Sequence, residues 1–230
     1  MMSKLLEGKR VLVTRAKQYM GPSIVEVFEE EGAEVVANTD DLSAPGSAEE
    51  AVISAGTIDV LIANLAERDW WEAFAQDIRD EDWLEYFDSM VHPLMRLTRA
   101  VLPQMIERRS GKIVAITSAA PLRGIPKASG YCAARGAQNA FIRATGIEVA
   151  RNNVQINAIA QNYVENPTYY PPEMLANEDL MRRMLKVIPA KRLGKGEESA
   201  HLAAFLASSH SDFIVGQIIP FAGGWVTTTG

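Results

Sequence analysis

The hydrophobic positions of this chain follow two patterns. Short runs of consecutive apolar residues, typical of buried strands, alternate with longer stretches in which apolar residues recur every three or four positions, typical of amphipathic helices. The short runs predict strands at 11–14, 34–37, 59–63, 112–117, 154–159 and 218–221. The longer stretches predict helices over 21–32, 82–108, 129–151 and 197–208. Within the second helix, Pro93 and Pro103 are expected to bend or break the chain.

Strands that alternate with helices indicate a parallel sheet covered by helices on both faces. We therefore expect an α/β fold, a Rossmann-like doubly wound parallel sheet, formed as a single domain over residues 1–230. The segment from Gln161 to Asn177 interrupts the alternation because it is rich in proline and tyrosine, which predicts irregular structure. Ligands bind beyond the carboxyl ends of parallel strands, so this segment, which follows a strand, is expected to line the site.

The composition argues against several classes of function. A chain of 230 residues, 47% hydrophobic and 23% charged, can bury one full core. Its net charge of -6 disfavours nucleic acid and anionic membranes as partners, and no apolar run is long enough to cross a bilayer. The first residues do not resemble a signal peptide, and a single cysteine, Cys132, cannot form an internal disulfide. We expect a cytoplasmic protein.

Three residues predict proton transfer at the end of a central strand. Ser118 follows the strand 112–117, and Tyr131 and Arg135 lie four positions apart on a predicted helix, so they share a face. A free tyrosine is a poor base at neutral pH, but a fixed guanidinium nearby favours the phenolate. The serine hydroxyl can hold a substrate oxygen beside the phenol, so together they could move a proton from or to an alcohol. The same spacing is also compatible with a packing tyrosine and a surface arginine.

Ser118, Tyr131 and Arg135 resemble the catalytic triad of the halohydrin dehalogenases, which are relatives of the short-chain dehydrogenases/reductases. The reductases carry Ser, Tyr and Lys at these places. Further landmarks of the superfamily lie at residues 11–14, 59–64, 157–159 and 223–224, so the resemblance covers nearly the whole chain. It implies an enzyme that converts vicinal halohydrins to epoxides with release of halide. It also implies the reverse opening of epoxides by azide, cyanide or nitrite, and a homotetramer.

The first turn predicts that no nicotinamide cofactor binds. A dinucleotide needs glycines there, because the backbone must approach the pyrophosphate at a helix N-terminus. The chain instead reads Thr-Arg-Ala-Lys-Gln-Tyr-Met-Gly, with Arg15 and Tyr19 at the first two glycine positions, which resembles the dehalogenase signature. Only about twenty residues separate the second predicted strand from Asp59, a stretch in which reductases usually fit a helix and a further strand. Arg135 replaces the lysine that in reductases also holds the nicotinamide ribose, and arginine keeps the charge permanently.

The resemblance also implies a halide site in the loop after the strand 154–159. The positions whose backbone and side chains would wrap the halide are Gln161, Asn162, Tyr163 and Val164. Tyr19 would close this pocket from the first turn, and Tyr170 resembles an aromatic residue that lines it, whereas Tyr169 is expected only to pack. Amide donors and a polarisable apolar wall suffice for a halide. Some members of the family have a proline at the position of Gln161.

Two other functions are compatible with these residues: a nicotinamide-dependent reductase with an atypical cofactor site, and a catalytically silent binding relative. The replaced glycines argue against the first, and the complete Ser-Tyr-Arg set argues against the second. The three histidines, His92, His201 and His210, lack metal-ligand spacing, so no metal site is expected. Packing is favoured over a role at the site entrance for Trp70, Trp71 and Trp83, and Cys132 is expected to be a small buried residue.

Overall fold

A parallel sheet forms the centre of the computed structural model, which describes residues 4–67 and 72–228. Its strands are β1 (Arg10–Val13), β2 (Glu34–Ala37), β3 (Val60–Asn64), β4 (Gly111–Ser118), β5 (Val154–Gln161) and β6 (Ile218–Phe221). They lie in the order β2-β1-β3-β4-β5-β6, and each adjacent pair is parallel. Every predicted strand is present with ends within two residues of the prediction. The predicted α/β, Rossmann-like fold is therefore confirmed.

Helices cover both faces of this sheet. They are α1 (Gly21–Glu30), α2 (Ser47–Ala55), α3 (Asp80–Tyr86), α4 (His92–Glu107), α5 (Ala120–Arg123), α6 (Ser129–Val149), α7 (Pro172–Leu175), α8 (Glu178–Val187) and α9 (Gly196–Ala207). Because side chains alternate along a strand, Val114 and Ile116 of β4 pack towards α1 and α9, while Ile113 and Ala115 pack towards α2, α4 and α6. The core therefore has two layers, and both end at the carboxyl edge of the sheet.

The helix predicted over 82–108 contains a local irregularity instead of a break. Between α3 and α4 the chain makes a π-helical turn at Phe87–Val91, and Pro93 follows in the first turn of α4. Proline removes an N–H and crowds the preceding turn, and the wider turn accommodates both effects. Pro103 lies inside α4 without ending it, so the expected disruption occurs at only one of the two prolines.

Two connecting segments, one between β2 and β3 and one after β5, shape the carboxyl edge of the sheet. Within the described chain, the connection from β2 to β3 contains α2 and no further strand, as its short length suggested. The segment after β5 is irregular as predicted, apart from the single turn α7, and leads into α8, which the sequence analysis did not predict. In the part of the chain described, no helix is long and apolar enough to cross a membrane.

Candidate active site

The three residues of the predicted triad meet at the carboxyl end of β4. Ser118 is the last residue of β4, Tyr131 and Arg135 lie one turn apart on α6, and none of the three is more than 6% exposed. The Nε atom of Arg135 donates to the Tyr131 hydroxyl at 3.0 Å, and its guanidinium carbon lies 5.2 Å from the centre of the Tyr131 ring. All three residues line one cavity of about 190 Å³.

The backbone around Ser118 orients its hydroxyl. Its Oγ accepts the N–H of Ala120 at 3.0 Å, and Asn139 donates from Nδ2 to the Ser118 carbonyl at 3.4 Å. A hydroxyl has one proton to donate and two lone pairs. Since one lone pair is used within the protein, the Ser118 hydroxyl is suited to donate its proton to an oxygen atom held in the cavity.

The Arg135 guanidinium is a buried cation held by neutral oxygens. Its NH1 atom donates to the carbonyl of Leu65 at 2.8 Å, to the carbonyl of Ile116 at 3.3 Å and to Oε1 of Gln138 at 2.9 Å. These partners fix the plane of the guanidinium without neutralising its charge. The positive charge is therefore available to stabilise a phenolate at Tyr131.

Gln138 is a functional residue that the sequence analysis missed. Besides accepting from Arg135, it donates from Nε2 to the carbonyl of Met90, in the π-helical turn, at 2.9 Å. Its side chain thus connects the buried guanidinium to the irregular helix opposite. The sequence signal for Gln138 was its position three residues after Arg135, on the same face of α6, and this signal is weak.

Tyr169 also belongs to the site, which corrects the expectation that it only packs. Its hydroxyl donates to the carbonyl of Glu67 at 2.5 Å and contacts the Arg135 guanidinium, so two phenols share one cation. Burial raises the pKa of Tyr169 well above the usual value for tyrosine. Tyr169 therefore stays a neutral donor.

The loop after β5 forms the opposite wall of the cavity. This wall contains the predicted anion-site residues Gln161, Asn162, Tyr163 and Val164, together with Tyr170, which was predicted to line the substrate site. Burial raises the pKa values of Tyr163 and Tyr170, so both remain neutral phenols. Among the described residues that line the cavity, Arg135 carries the only full charge, so the electrostatic environment favours a negatively charged or electron-rich ligand.

Tyr19 does not line this cavity, unlike the expectation that it closes the pocket. It is only 4% exposed, and its ring packs against the Tyr169 ring at 5.2 Å between centres. Its N–H donates to Oγ1 of Thr168 at 2.9 Å. Because Thr168 and Tyr169 engage both its backbone and its ring, Tyr19 supports the cavity wall from behind.

The first turn keeps an unusual backbone although its glycines are replaced. Arg15 and Tyr19 have φ values of 45° and 50°, in the left-handed region that favours glycine. Asn64 donates from Nδ2 to the carbonyls of Arg15 and Gln18 at 3.1 and 3.0 Å, which holds the turn closed. At Gly21 a Cβ atom would lie 2.4 Å from the Arg15 carbonyl oxygen, so this close approach requires glycine.

The remaining candidate residues lie away from the cavity lining. His92 pairs with Asp88, His201 lies 3.5 Å from Glu197, and the described residues contain no group of three or more potential metal ligands. Trp83 stacks on Phe87 with ring centres 5.3 Å apart. Trp70 and Trp71 lie outside the described residues. Cys132 is only partly buried, and burial raises the pKa of its thiol.

Comparisons with known proteins show that the chain is similar to both reductases and dehalogenases. Residues 6–226 match the family model described as enoyl-(acyl carrier protein) reductase. The 3-oxoacyl-[acyl-carrier-protein] reductase FabG of Thermotoga maritima is 30% identical, with 96% of this chain and 99% of that protein covered. A solved structure described as a dehalogenation enzyme is 34% identical, with a TM-score of 0.89 over 96% of this chain and 100% of the other.

A further solved structure is the halohydrin dehalogenase HheC bound to ethyl (2S)-oxiran-2-ylacetate. It is 28% identical, with a TM-score of 0.84 over 95% of this chain and 98% of the other. The family match spans nearly all of the sequence. The chain belongs to the short-chain dehydrogenase/reductase superfamily, in the family described as enoyl-(acyl carrier protein) reductase.

Proposed function

We propose that this chain is a cofactor-independent halohydrin dehalogenase, which closes vicinal halohydrins to epoxides and releases halide. In reverse it opens epoxides with small anions such as azide, cyanide and nitrite. One observation carries the proposal. Thr168 and Tyr169 pack onto Tyr19 at the first turn, where a dinucleotide would have to lie, while Tyr131 and Arg135 face the cavity.

The residues at the first turn do not fit the nicotinamide cofactor of the reductases. A pyrophosphate at such a turn needs free N–H groups and no side chains in its path. Here the Tyr19 N–H is bonded to Thr168, and the Tyr19 ring is packed against Tyr169. The adjoining cleft beyond Arg15 is lined by the carboxyl-bearing residues Asp40, Asp41, Glu67, Glu81, Glu85 and Asp88. These carboxylates would repel the phosphates of a dinucleotide.

Proton removal is the task of Tyr131. As a phenolate stabilised by Arg135, it takes the proton of the substrate hydroxyl, while Ser118 donates a hydrogen bond to the same oxygen. The oxygen then attacks the adjacent carbon from the side opposite the halogen. The new C–O bond closes the epoxide, and the carbon–halogen bond breaks as the halide leaves with the bonding electron pair. Because the attack is intramolecular, positioning and one proton transfer are the main requirements.

The departing halide is received by the wall that runs from Gln161 to Val164. This wall offers amide groups and an apolar side chain and lies in a cavity with no lining carboxylate among the described residues. A cavity of about 190 Å³ is smaller than the sites of drug-sized ligands, which span roughly 300–1,000 Å³. We therefore expect substrates with few heavy atoms, such as small bromohydrins.

Halide release from a small bromohydrin without added nucleotide tests this proposal. We expect turnover by the purified protein, and we expect Tyr131→Phe to lose it while remaining folded by circular dichroism. An inactive wild-type protein that is folded by circular dichroism would contradict the proposal.

A nicotinamide-dependent reductase is the second candidate, since the 30% identity to a FabG reductase favours it. Calorimetric titration with NAD and NADP separates the two. We expect no binding of either nucleotide at micromolar concentration. Micromolar affinity together with hydride transfer to a carbonyl compound would establish the reductase instead.

A further inference from the structure

Gln161 places a carboxamide beside the proposed catalytic serine. It is the last residue of β5, and its Cα pairs in the sheet register with that of Ser118 on β4. Paired residues on neighbouring parallel strands face the same side of the sheet, and the strands lie about 4.8 Å apart. Both residues line the cavity, so an anion held near Ser118 lies within reach of the Gln161 side chain.

The orientation of this carboxamide is set by α9. Ser199, which is 1% exposed, donates from Oγ to Oε1 of Gln161 at 3.0 Å. A carboxamide has an accepting oxygen at one end and an NH₂ group with two donors at the other. With the oxygen held by Ser199 and no acceptor for Nε2 among the described residues, the NH₂ group is the end left for a ligand.

Asn162 repeats the arrangement. Its Oδ1 accepts the N–H of Tyr163 at 2.9 Å, at a turn where Tyr163 has a φ of 57°. Two successive carboxamides therefore have their oxygens engaged by the protein and their NH₂ groups unpaired within the described chain. Together with the cation of Arg135, the cavity wall is rich in donors, more than an apolar halide cage requires.

We infer that Gln161 makes this anion site selective for small planar oxyanions, such as formate and nitrite, over bromide. A charge-assisted hydrogen bond is strongest to a compact oxygen that carries much of the negative charge, and bromide spreads its charge over a larger radius. The NH₂ group of Gln161, held by Ser199, donates to one oxygen of the anion. The inference rests on the proposed function and assigns the anion preference of the same site.

Calorimetric titration with sodium formate, sodium nitrite and sodium bromide tests this inference in the wild type, in Gln161→Met and in Ser199→Ala. Methionine keeps the length of the side chain and removes the donor. We expect Gln161→Met to bind formate and nitrite at least tenfold more weakly and bromide less than threefold more weakly, since a hydrogen bond to a charged group is lost. Ser199→Ala should give a smaller loss in the same direction, because the amide is no longer held.

Gln217→Met is the matched control, since Gln217 lies outside the cavity and, among the described residues, its side chain bonds only to the Val215 carbonyl. This control should bind every anion as the wild type does. Equal weakening of formate and bromide in Gln161→Met, unchanged binding in that variant, or a wild type that binds neither oxyanion would each overturn the inference. Halide release from a bromohydrin is measured on the same samples. The presence or absence of halide release tests the proposed function independently of the anion preference.

Discussion

Replacing Gln138 with glutamate isolates the electrostatic role of the buried guanidinium. The side chain keeps its length, so a carboxylate oxygen can accept from NH1 of Arg135 where Oε1 does now at 2.9 Å. The change adds one negative charge and removes the donor to the Met90 carbonyl. The new carboxylate at position 138 and a phenolate at Tyr131 would lie roughly 6 Å apart. At an effective dielectric constant of about 20, two like charges at this distance repel each other by about 3 kcal/mol.

In the proposed mechanism this repulsion acts on the phenolate of Tyr131, which forms before the substrate proton is taken. An energy of about 3 kcal/mol corresponds to about a hundredfold change in an equilibrium, or about two pH units. Halide release by Gln138→Glu at neutral pH should therefore fall about a hundredfold. The acidic limb of its rate–pH profile should move upward by about two units, because a higher pH is needed to form the phenolate beside another negative charge.

Gln138→Met is the neutral control for this prediction. It removes both hydrogen bonds of the Gln138 side chain, so the free energy of unfolding should fall by about 1–3 kcal/mol. The acidic limb should not move upward, since no negative charge is added. Urea unfolding and initial rates of halide release between pH 5 and 10 give the two readouts. A profile of Gln138→Glu that coincides with the wild type, or an equal upward shift in both variants, would refute the argument that the charge on Arg135 governs this step.

Three further outcomes are expected. Tyr131→Phe removes the base and should abolish both dehalogenation and epoxide opening, whereas Arg135→Lys keeps a charge without the planar fork and should retain partial activity; equal total loss would indicate a structural role for Arg135. The pKa of Glu198 is lowered from 4.5 to about 2, and the largest contribution comes from its hydrogen bond with the Arg192 guanidinium. This carboxylate therefore stabilises the fold above about pH 4.5 and loses that contribution as the pH falls towards 2. Glu198→Gln should flatten the pH dependence of urea unfolding across this interval, and an unchanged slope would contradict the assignment. Light scattering should give a homotetramer, and a monomer at micromolar concentration would rule it out.

The elements that the sequence predicted are those whose pattern is local. Strands β3, β4 and β5 are buried on both faces and appear as apolar runs, whereas β2 at the edge of the sheet is only partly buried and was predicted from a shorter run. The helix α8 was not predicted from the sequence; in the structure none of its residues is fully buried, and its Met184 lines the cavity. The pair Tyr131 and Arg135 was predicted because its members are four residues apart on one helix.

The rest of the site depends on contacts between distant parts of the chain, which periodicity does not reveal. Tyr169 meets Tyr19 across 150 positions and donates to a carbonyl at Glu67, so the residue that lines the cavity and the residue behind it could not be distinguished beforehand. Gln138 has an ordinary residue type for a helix. Its role follows only from the π-helical turn that brings the Met90 carbonyl within hydrogen-bond distance.

The first turn adopts a left-handed backbone at two positions that are not glycine. Left-handed φ values at Arg15 and Tyr19 cost roughly 1–2 kcal/mol each for residues other than glycine. Two hydrogen bonds from Asn64, the bond from the Tyr19 N–H to Thr168 and the packing of its ring offset this strain. Replacing Tyr19 with glycine would relieve the strain in the backbone at this position, but it would also remove the ring that supports Tyr169. The substitution would not create a phosphate site, because the backbone N–H of residue 19 would still donate its hydrogen bond to Thr168. In the proposed function, the obstructed dinucleotide site and the anion cavity are therefore two consequences of the same packing, and we expect that glycine substitutions in the turn alone do not reverse them.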